Sequence, residues 1–247
     1  MGVAMETFRR TWLFSFLKRR IDGPLPSYLW LRARGGAHSL SRGHLVRNHA
    51  LRKYLASTTE PALQVGSGVI RLPGWLNSDL VSGDVHLDLS RPFPLPEATF
   101  KYAFGEHVIE HISERQGLCL LEELYRILRP GGVLRMTTPD LQKIIAIYQD
   151  QNPAVRREAY ARFLDNMTGR RHDRGCQIFN DYMHLWGHLY IYDEEDLVVK
   201  MRQVGFQDVV RLAPGQSDHA VLRGIEHHGQ PWQNGAEAMC LEGTKPG

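Results

Sequence analysis

The chain has 247 residues, with 30 Lys+Arg against 27 Asp+Glu, a formal net charge of +3, 43% hydrophobic and 9% aromatic residues. This is ordinary globular usage, suited to one large domain or a domain with a small appendage, and it excludes a disordered or fibrous chain. No apolar run reaches the ~20 residues of a membrane-spanning helix. Three cysteines without a Cys-x-x-Cys pair, Cys119, Cys176 and Cys240, exclude a disulfide scaffold or zinc ribbon and fit a reducing, cytoplasmic setting.

Charge is unevenly distributed. The first 54 residues carry 11 basic residues against Glu6 and Asp22, a net +9, which leaves the remainder at −6. A basic front on an acidic body predicts contact with an anionic surface or partner. Residues 8–20 interleave Arg and Lys with Phe8, Trp12, Phe14 and Phe16. Their apolar stretch is short and interrupted by Ser15, so it does not read as a secretory signal. A helix packed on the body or a partner, an interfacial helix on an anionic membrane and a disordered arm all stay open. Residues 1–44 read as an N-terminal helical extension, and residues 1–22 as the candidate contact with a membrane surface or protein partner.

From Leu45 the apolar spacing predicts a helix ending before Ser57. The strand Ala62-Leu63-Gln64-Val65 then runs directly into Gly66-Ser67-Gly68. Strand followed by glycine turn is how α/β folds open a nucleotide site, because glycine admits close backbone approach. A dinucleotide fingerprint needs a third glycine, and Ile70 occupies that position. A second strand at 75–78 ends at Asp79, only 13 positions after Gly66, too few for a crossover helix. A third at 84–87 ends at Asp88. Carboxylates at neighbouring strand ends can accept hydrogen bonds from ribose hydroxyls and an adenine amine.

A fourth strand, 100–104, leads into Gly105-Glu106-His107-Val108-Ile109-Glu110-His111. Ser113 and Gln116 form a capping box, and Leu118, Leu121, Tyr125 and Leu128 repeat at helical spacing. Arg129-Pro130-Gly131-Gly132 stops that helix before a fifth strand, 133–137. Alternating strands and helices predict a doubly wound, mostly parallel sheet.

Leu63 to Gly68, Gly74-Trp75-Leu76-Asn77-Ser78-Asp79, the run 106–111 and Leu128-Arg129-Pro130-Gly131-Gly132 together resemble class I S-adenosylmethionine-dependent methyltransferases. The likeness is to the subgroup with a shortened first crossover found beside glycosyltransferases in polysaccharide gene clusters. It runs from about residue 45 to 247, so these residues form the expected methyltransferase domain. The family's acid two positions before the first glycine is Gln64 here. The resemblance implies a Rossmann-like sheet with an antiparallel last strand, at 239–245, and a helical lid over about 143–190. It implies S-adenosylmethionine as cofactor, with Gln64, Gly66, Ser67 and Gly68 around its methionine part. Asp79 and Leu80 would hold the ribose, Asp88 and Leu89 the adenine, and Glu106 would lie near the sulfonium.

His107, His111 and His188 are the general-base candidates, since imidazole titrates near working pH. His184 and His188 are four apart, a metal-ligand spacing on a helix face, with His172 and Cys176 close in sequence. The motif lacks a glutamate and contains Gly187, so no metal is assigned. Asp193 caps a helix that Gly205 ends, a sixth strand follows at 206–212, and residues 217–228 read as a polar loop over the site.

The expected activity is O-methylation of a sugar, glycan intermediate or small metabolite. The alternatives are a non-catalytic scaffold of the same fold at a membrane-associated assembly and a nicotinamide-dependent oxidoreductase, disfavoured by the missing third glycine. Nucleic acid is disfavoured as substrate, because Gly105-Glu106-His107-Val108 lacks the Asn/Asp-Pro-Pro-Tyr motif of base-amine methyltransferases.

Overall fold

A computed structural model describes residues 43–228 and 231–247. The basic segment, with its expected contact through residues 1–22, lies outside the described residues. Helix α1 (Gly43–Leu55) precedes β1 (Ala62–Val65), β2 (Leu76–Asp79) and β3 (Val85–His86). Next come β4 (Phe100–Glu106), a 3-10 turn (Ile109–His111), α2 (Glu114–Ile127) and β5 (Leu128–Pro139). A helical insertion follows, α3 (Leu141–Tyr148), α4 (Arg157–Thr168) and α5 (Gly175–His184). The chain ends with α6 (Glu194–Val204), β6 (Gln207–Leu212), α7 (Pro231–Glu237) and β7 (Ala238–Thr244).

The seven strands run in the order β3-β2-β1-β4-β5-β7-β6. The first five pair in parallel, and β7 lies antiparallel between β5 and β6. This is the doubly wound Rossmann-like α/β sheet with a reversed last strand. All four residues of β1 are buried, as befits a central strand covered on both faces.

Local chemistry sets the boundaries. The Ser113 N–H donates to Gln116 Oε1 at 3.0 Å and the Gln116 N–H returns to Ser113 Oγ, which starts α2. Helix α2 ends at Ile127, earlier than the expected stop at 129–132. Leu128–Pro139 is continuous strand, because the Gly131 N–H donates to the Lys245 carbonyl and so pairs this stretch with the chain terminus. Asp193 caps α6, and Gly205 ends it with φ +118.

The short β1–β2 connection has a structural consequence. Right-handed crossovers running in opposite directions from the middle of a sheet lie on opposite faces. Helix α2, between β4 and β5, covers the face bearing Leu63, Val65, Ala103 and Leu134. A crossover helix between β1 and β2 would cover the other, and no such helix forms. Leu72 and Trp75 from the connection, with Leu222 and Ile225 from the segment between β6 and α7, instead pack on Ala62, Tyr102, Phe104 and Val133. That segment is also pinned by charge: Arg135 of β5, with no exposed surface, pairs with Glu226 and Glu242 and donates to the Gln216 carbonyl at 2.8 Å.

Helices α3, α4 and α5 form a separate apolar cluster around Ile144, Ile147, Tyr160, Leu164, Ile178 and Tyr182. The loop between α4 and α5 is held by buried His172, whose Nδ1 is 2.7 Å from Asp165 and Nε2 2.8 Å from Asp181. His172 is thereby committed to two carboxylates. The expected helix-face pair His184 and His188 does not form, because α5 ends at His184 and Gly187 turns the chain at φ +80. Among the described residues no helix is long and apolar enough to cross a membrane.

Leu222→Ala should lower stability by about 2–5 kcal/mol, the usual cost of emptying a buried leucine site. Urea unfolding of the variant measures this, and a change below about 0.5 kcal/mol would show that the segment does not substitute for the missing helix.

Candidate active site at the carboxyl ends of the central strands

The glycine turn after β1 is shaped by its neighbour. At Gly66, with φ +64, a Cβ would stand 2.1 Å from Val108 Cγ1, so only glycine fits. Val108 comes close because β1 and β4 are adjacent, with Val65 opposite Gly105. Gly68 has φ +55 and open space where its Cβ would be. Between them, Ser67 donates its N–H to the Ser78 carbonyl at 2.9 Å, while its buried hydroxyl has no partner.

Asp79, at the end of β2, receives three backbone N–H groups: Gly68 at 3.1 Å, Val81 at 2.9 Å and Ser82 at 3.2 Å. A carboxylate offers about four acceptor positions, so the residue that braces both loops keeps one for a ligand. Asp88 accepts from the Ser90 N–H at 3.0 Å and pairs with Arg91 at 3.3 Å. Leu80 and Leu89 are half-buried, and Leu89 Cδ1 lies 3.8 Å from the Cβ position of Gly66. Gln64 points away from this group: it is buried and accepts the Leu72 N–H at 3.3 Å. The position that is acidic in the resembling family here stabilises the β1–β2 connection.

Past β4 the chain turns sharply, with His107 at φ +50, a left-handed conformation that costs a non-glycine residue about 1–3 kcal/mol and marks functional sites. The turn directs His107 Nδ1 at Glu110 Oε1, 3.1 Å away, while the buried Nε2 has no partner. Glu110 has no exposed surface; its other oxygen accepts the Thr138 hydroxyl at 3.0 Å. His111 Nε2 stands 4.0 Å from Glu110 Oε1, and the His111 and His188 rings meet edge to face at 5.0 Å between centroids. The structure thus gathers the three candidate histidines around one buried carboxylate.

Electrostatics follow from this packing. Burial pushes the Glu110 carboxyl up, but the His107 hydrogen bond and the three nearby imidazoles outweigh it and hold it at about 2. Burial pushes His107 down, and Glu110 overcomes that to raise it above the ordinary histidine value. Burial dominates at His188, lowered to about 4. Burial raises Glu106, whose carboxylate accepts the His227 and His228 N–H groups, each at 3.0 Å.

The polar segment before α7 therefore does reach the site, where His228 stacks on His107 with centroids 4.4 Å apart. Glu110, Thr138 and His228 were not singled out from sequence. The three-residue spacing from His107 to Glu110 was an available local signal. Thr138 and His228 arrive through strand pairing and a loop contact that no local pattern encodes.

Residues 60–136, from the approach to β1 into β5, match the family model described as a methyltransferase domain. No curated protein matches the chain. Solved structures similar to it include Haemonchus contortus phosphoethanolamine N-methyltransferase 2 in complex with S-adenosyl-L-methionine, 16% identical over 81% of this chain at TM-score 0.46. The chain spans about half of that protein's length, 53%. Others are a SAM-dependent methyltransferase from Thermotoga maritima (17% identity, 87% and 98% of the two chains, TM-score 0.46) and one from Archaeoglobus fulgidus (15%, 88% and 99%, 0.43).

Gly66→Ala should destabilise the protein by about 1–3 kcal/mol through overpacking and strain. Adding Val108→Ala should recover part of the loss in a double-mutant cycle read by thermal unfolding. Strict additivity would mean that the two loops are not in contact.

Proposed function

We propose that the chain is an S-adenosylmethionine-dependent methyltransferase that O-methylates a small-molecule or glycan hydroxyl, with His107 as general base. The methyltransferase-domain match over residues 60–136 supports the cofactor. The resemblance to polysaccharide-cluster enzymes makes sugars the first acceptors to test. The observation that carries the reaction is the buried His107–Glu110 pair, whose unpartnered Nε2 lies one residue from Val108, the side chain seated against Gly66.

The residues present fit the cofactor, since the unpartnered Ser67 hydroxyl and the open space before Gly68 fall in one turn. On this reading the Gly66–Gly68 backbone holds the methionine part, Asp79 and Leu80 the ribose, and Asp88 and Leu89 the adenine. Glu106 acts by anchoring the loop above them rather than through its own free oxygens. When bound, the sulfonium supplies an already activated methyl group, which leaves alignment and proton removal to the protein. Glu110 accepts the Nδ1–H of His107, which fixes the tautomer and leaves the Nε2 lone pair to take the acceptor's hydroxyl proton. The carboxylate then stabilises the imidazolium that forms. His228, stacked on the ring, excludes water from one face. The cysteine usage fits a cytoplasmic enzyme, and residues 1–22 remain the candidate contact with a membrane surface or protein partner.

Thermal unfolding with S-adenosylmethionine, S-adenosylhomocysteine and NAD tests the cofactor. At ~100 times its dissociation constant a ligand stabilises by ~2.7 kcal/mol. Stabilisation is expected with both adenosyl ligands and not with NAD, and it should be lost in Asp79→Ala. No shift with either would favour a non-catalytic scaffold of the same fold. His107→Gln should lower kcat by about 10²–10⁴-fold with the adenosyl shift intact; an unchanged kcat would remove His107 as base.

A further inference from the structure

We propose that Glu110, His111 and His188 bind one divalent first-row transition-metal ion. A carboxylate oxygen of Glu110 and one ring nitrogen from each histidine all lie within 4.8 Å of one another. Two imidazoles and a single carboxylate form a mixed N/O donor set of the kind that holds Zn²⁺, Fe²⁺ or Mn²⁺; Mg²⁺ and Ca²⁺ call for oxygen ligands throughout.

Three independent features point to a ligand here. First, the spacing is fixed by the main chain. The Glu110 carbonyl accepts the N–H groups of Leu189 at 2.7 Å and Tyr190 at 3.3 Å, which clamps the segment carrying His188 to the turn carrying the other two. Second, the donors are already oriented as metal ligands usually are. His188 Nδ1 is 2.7 Å from the Tyr182 carbonyl, which fixes the proton there and leaves the lone pair on Nε2. The carboxylate of Glu110 is held at one oxygen by Thr138 and at the other by His107. Third, His111 meets the carboxylate only at the outer limit of an ion pair. At 4.0 Å, His111 Nε2 is too far from Glu110 to hydrogen-bond, although both side chains are brought to this point.

A tetrahedral ion with ligands at about 2.0–2.1 Å sets them roughly 3.3 Å apart, so the three must close by up to about 1.5 Å. His111, whose side chain is 38% exposed, has the freedom to swing inward. Three protein ligands leave at least one position open, the arrangement of catalytic rather than structural ions. If the methyl-transfer reading holds, that position receives the acceptor oxygen and makes its proton easier for His107 to remove. The metal site itself does not rest on that reading.

The test is titration of the untagged, chelator-treated full chain with Co²⁺, followed by visible ligand-field absorption, and with Zn²⁺ by calorimetry. One ion per chain is expected, with affinity at least tenfold weaker in His111→Ala and in His188→Ala and unchanged in His49→Ala, an exposed histidine on α1. Circular dichroism and thermal unfolding establish that each variant is folded; His111→Ala, at a half-exposed position, keeps the test available if His188→Ala does not fold. No binding, or binding that His111→Ala leaves unaltered, would overturn the proposal. Adenosyl-ligand stabilisation, measured on the same metal-free chain, reports separately on the methyltransferase reading, so either can fail while the other stands.

Discussion

A fully buried carboxylate is costly unless its charge is answered within the protein, and Glu110 is answered from several directions at once. His107 and Thr138 hold its oxygens, His111 and His188 stand beside it, and its own backbone carbonyl fixes the segment that delivers His188. The carboxyl ends of β4 and β5, the 3-10 turn and the chain leaving the helical insertion all meet at this residue. Replacing it with an apolar side chain would remove the hydrogen-bond partner of His107 as well as the charge that makes that imidazole a stronger base.

The sheet faces a different constraint, set by topology. Shortening the β1–β2 connection brings Asp79 within reach of the Gly68 amide, so that one carboxylate braces the loops after two strands. The same shortening removes the helix that would cover Tyr102, Phe104 and Val133. Chain from between β6 and α7 takes its place, fastened by Leu222, Ile225 and the buried Arg135 pairs. Gln64 belongs to this arrangement: a neutral amide shares the Leu72 N–H with Asn77 Oδ1 in a crowded interior where a carboxylate would have to be desolvated.

Much of the fold was legible in the sequence because its signals are local. The alternation of strands and helices, the Ser113–Gln116 box, the Asp193 cap and the Gly205 stop all act within a few residues of where they are written. The glycine turn and the three histidines were legible too, as residue types suited to a site. Two expectations failed where tertiary structure decides. The i,i+4 histidine pair assumed a helix that ends at His184, and the Pro-Gly-Gly stretch became strand because its partner is the far end of the chain, at Lys245. The burial of Glu110 was hidden for a related reason: the run 106–111 mixes acids and histidines with Val108 and Ile109, and only the segments packed around it decide which acid is buried.

The segment that replaces the crossover helix also ends at the site. Its middle is locked to the sheet through Gln216, Leu222 and Glu226, and the backbone amides one and two residues beyond that lock meet Glu106. Many sequences could fill this stretch, but its length is set like that of a ruler between two fixed marks. Inserting or deleting one residue past Glu226 would bring different amides to Glu106 and a different side chain onto His107. Homologous proteins that keep this way of covering the sheet should therefore vary in composition along the segment while conserving the residue count from the buried arginine's partner to the stacked ring.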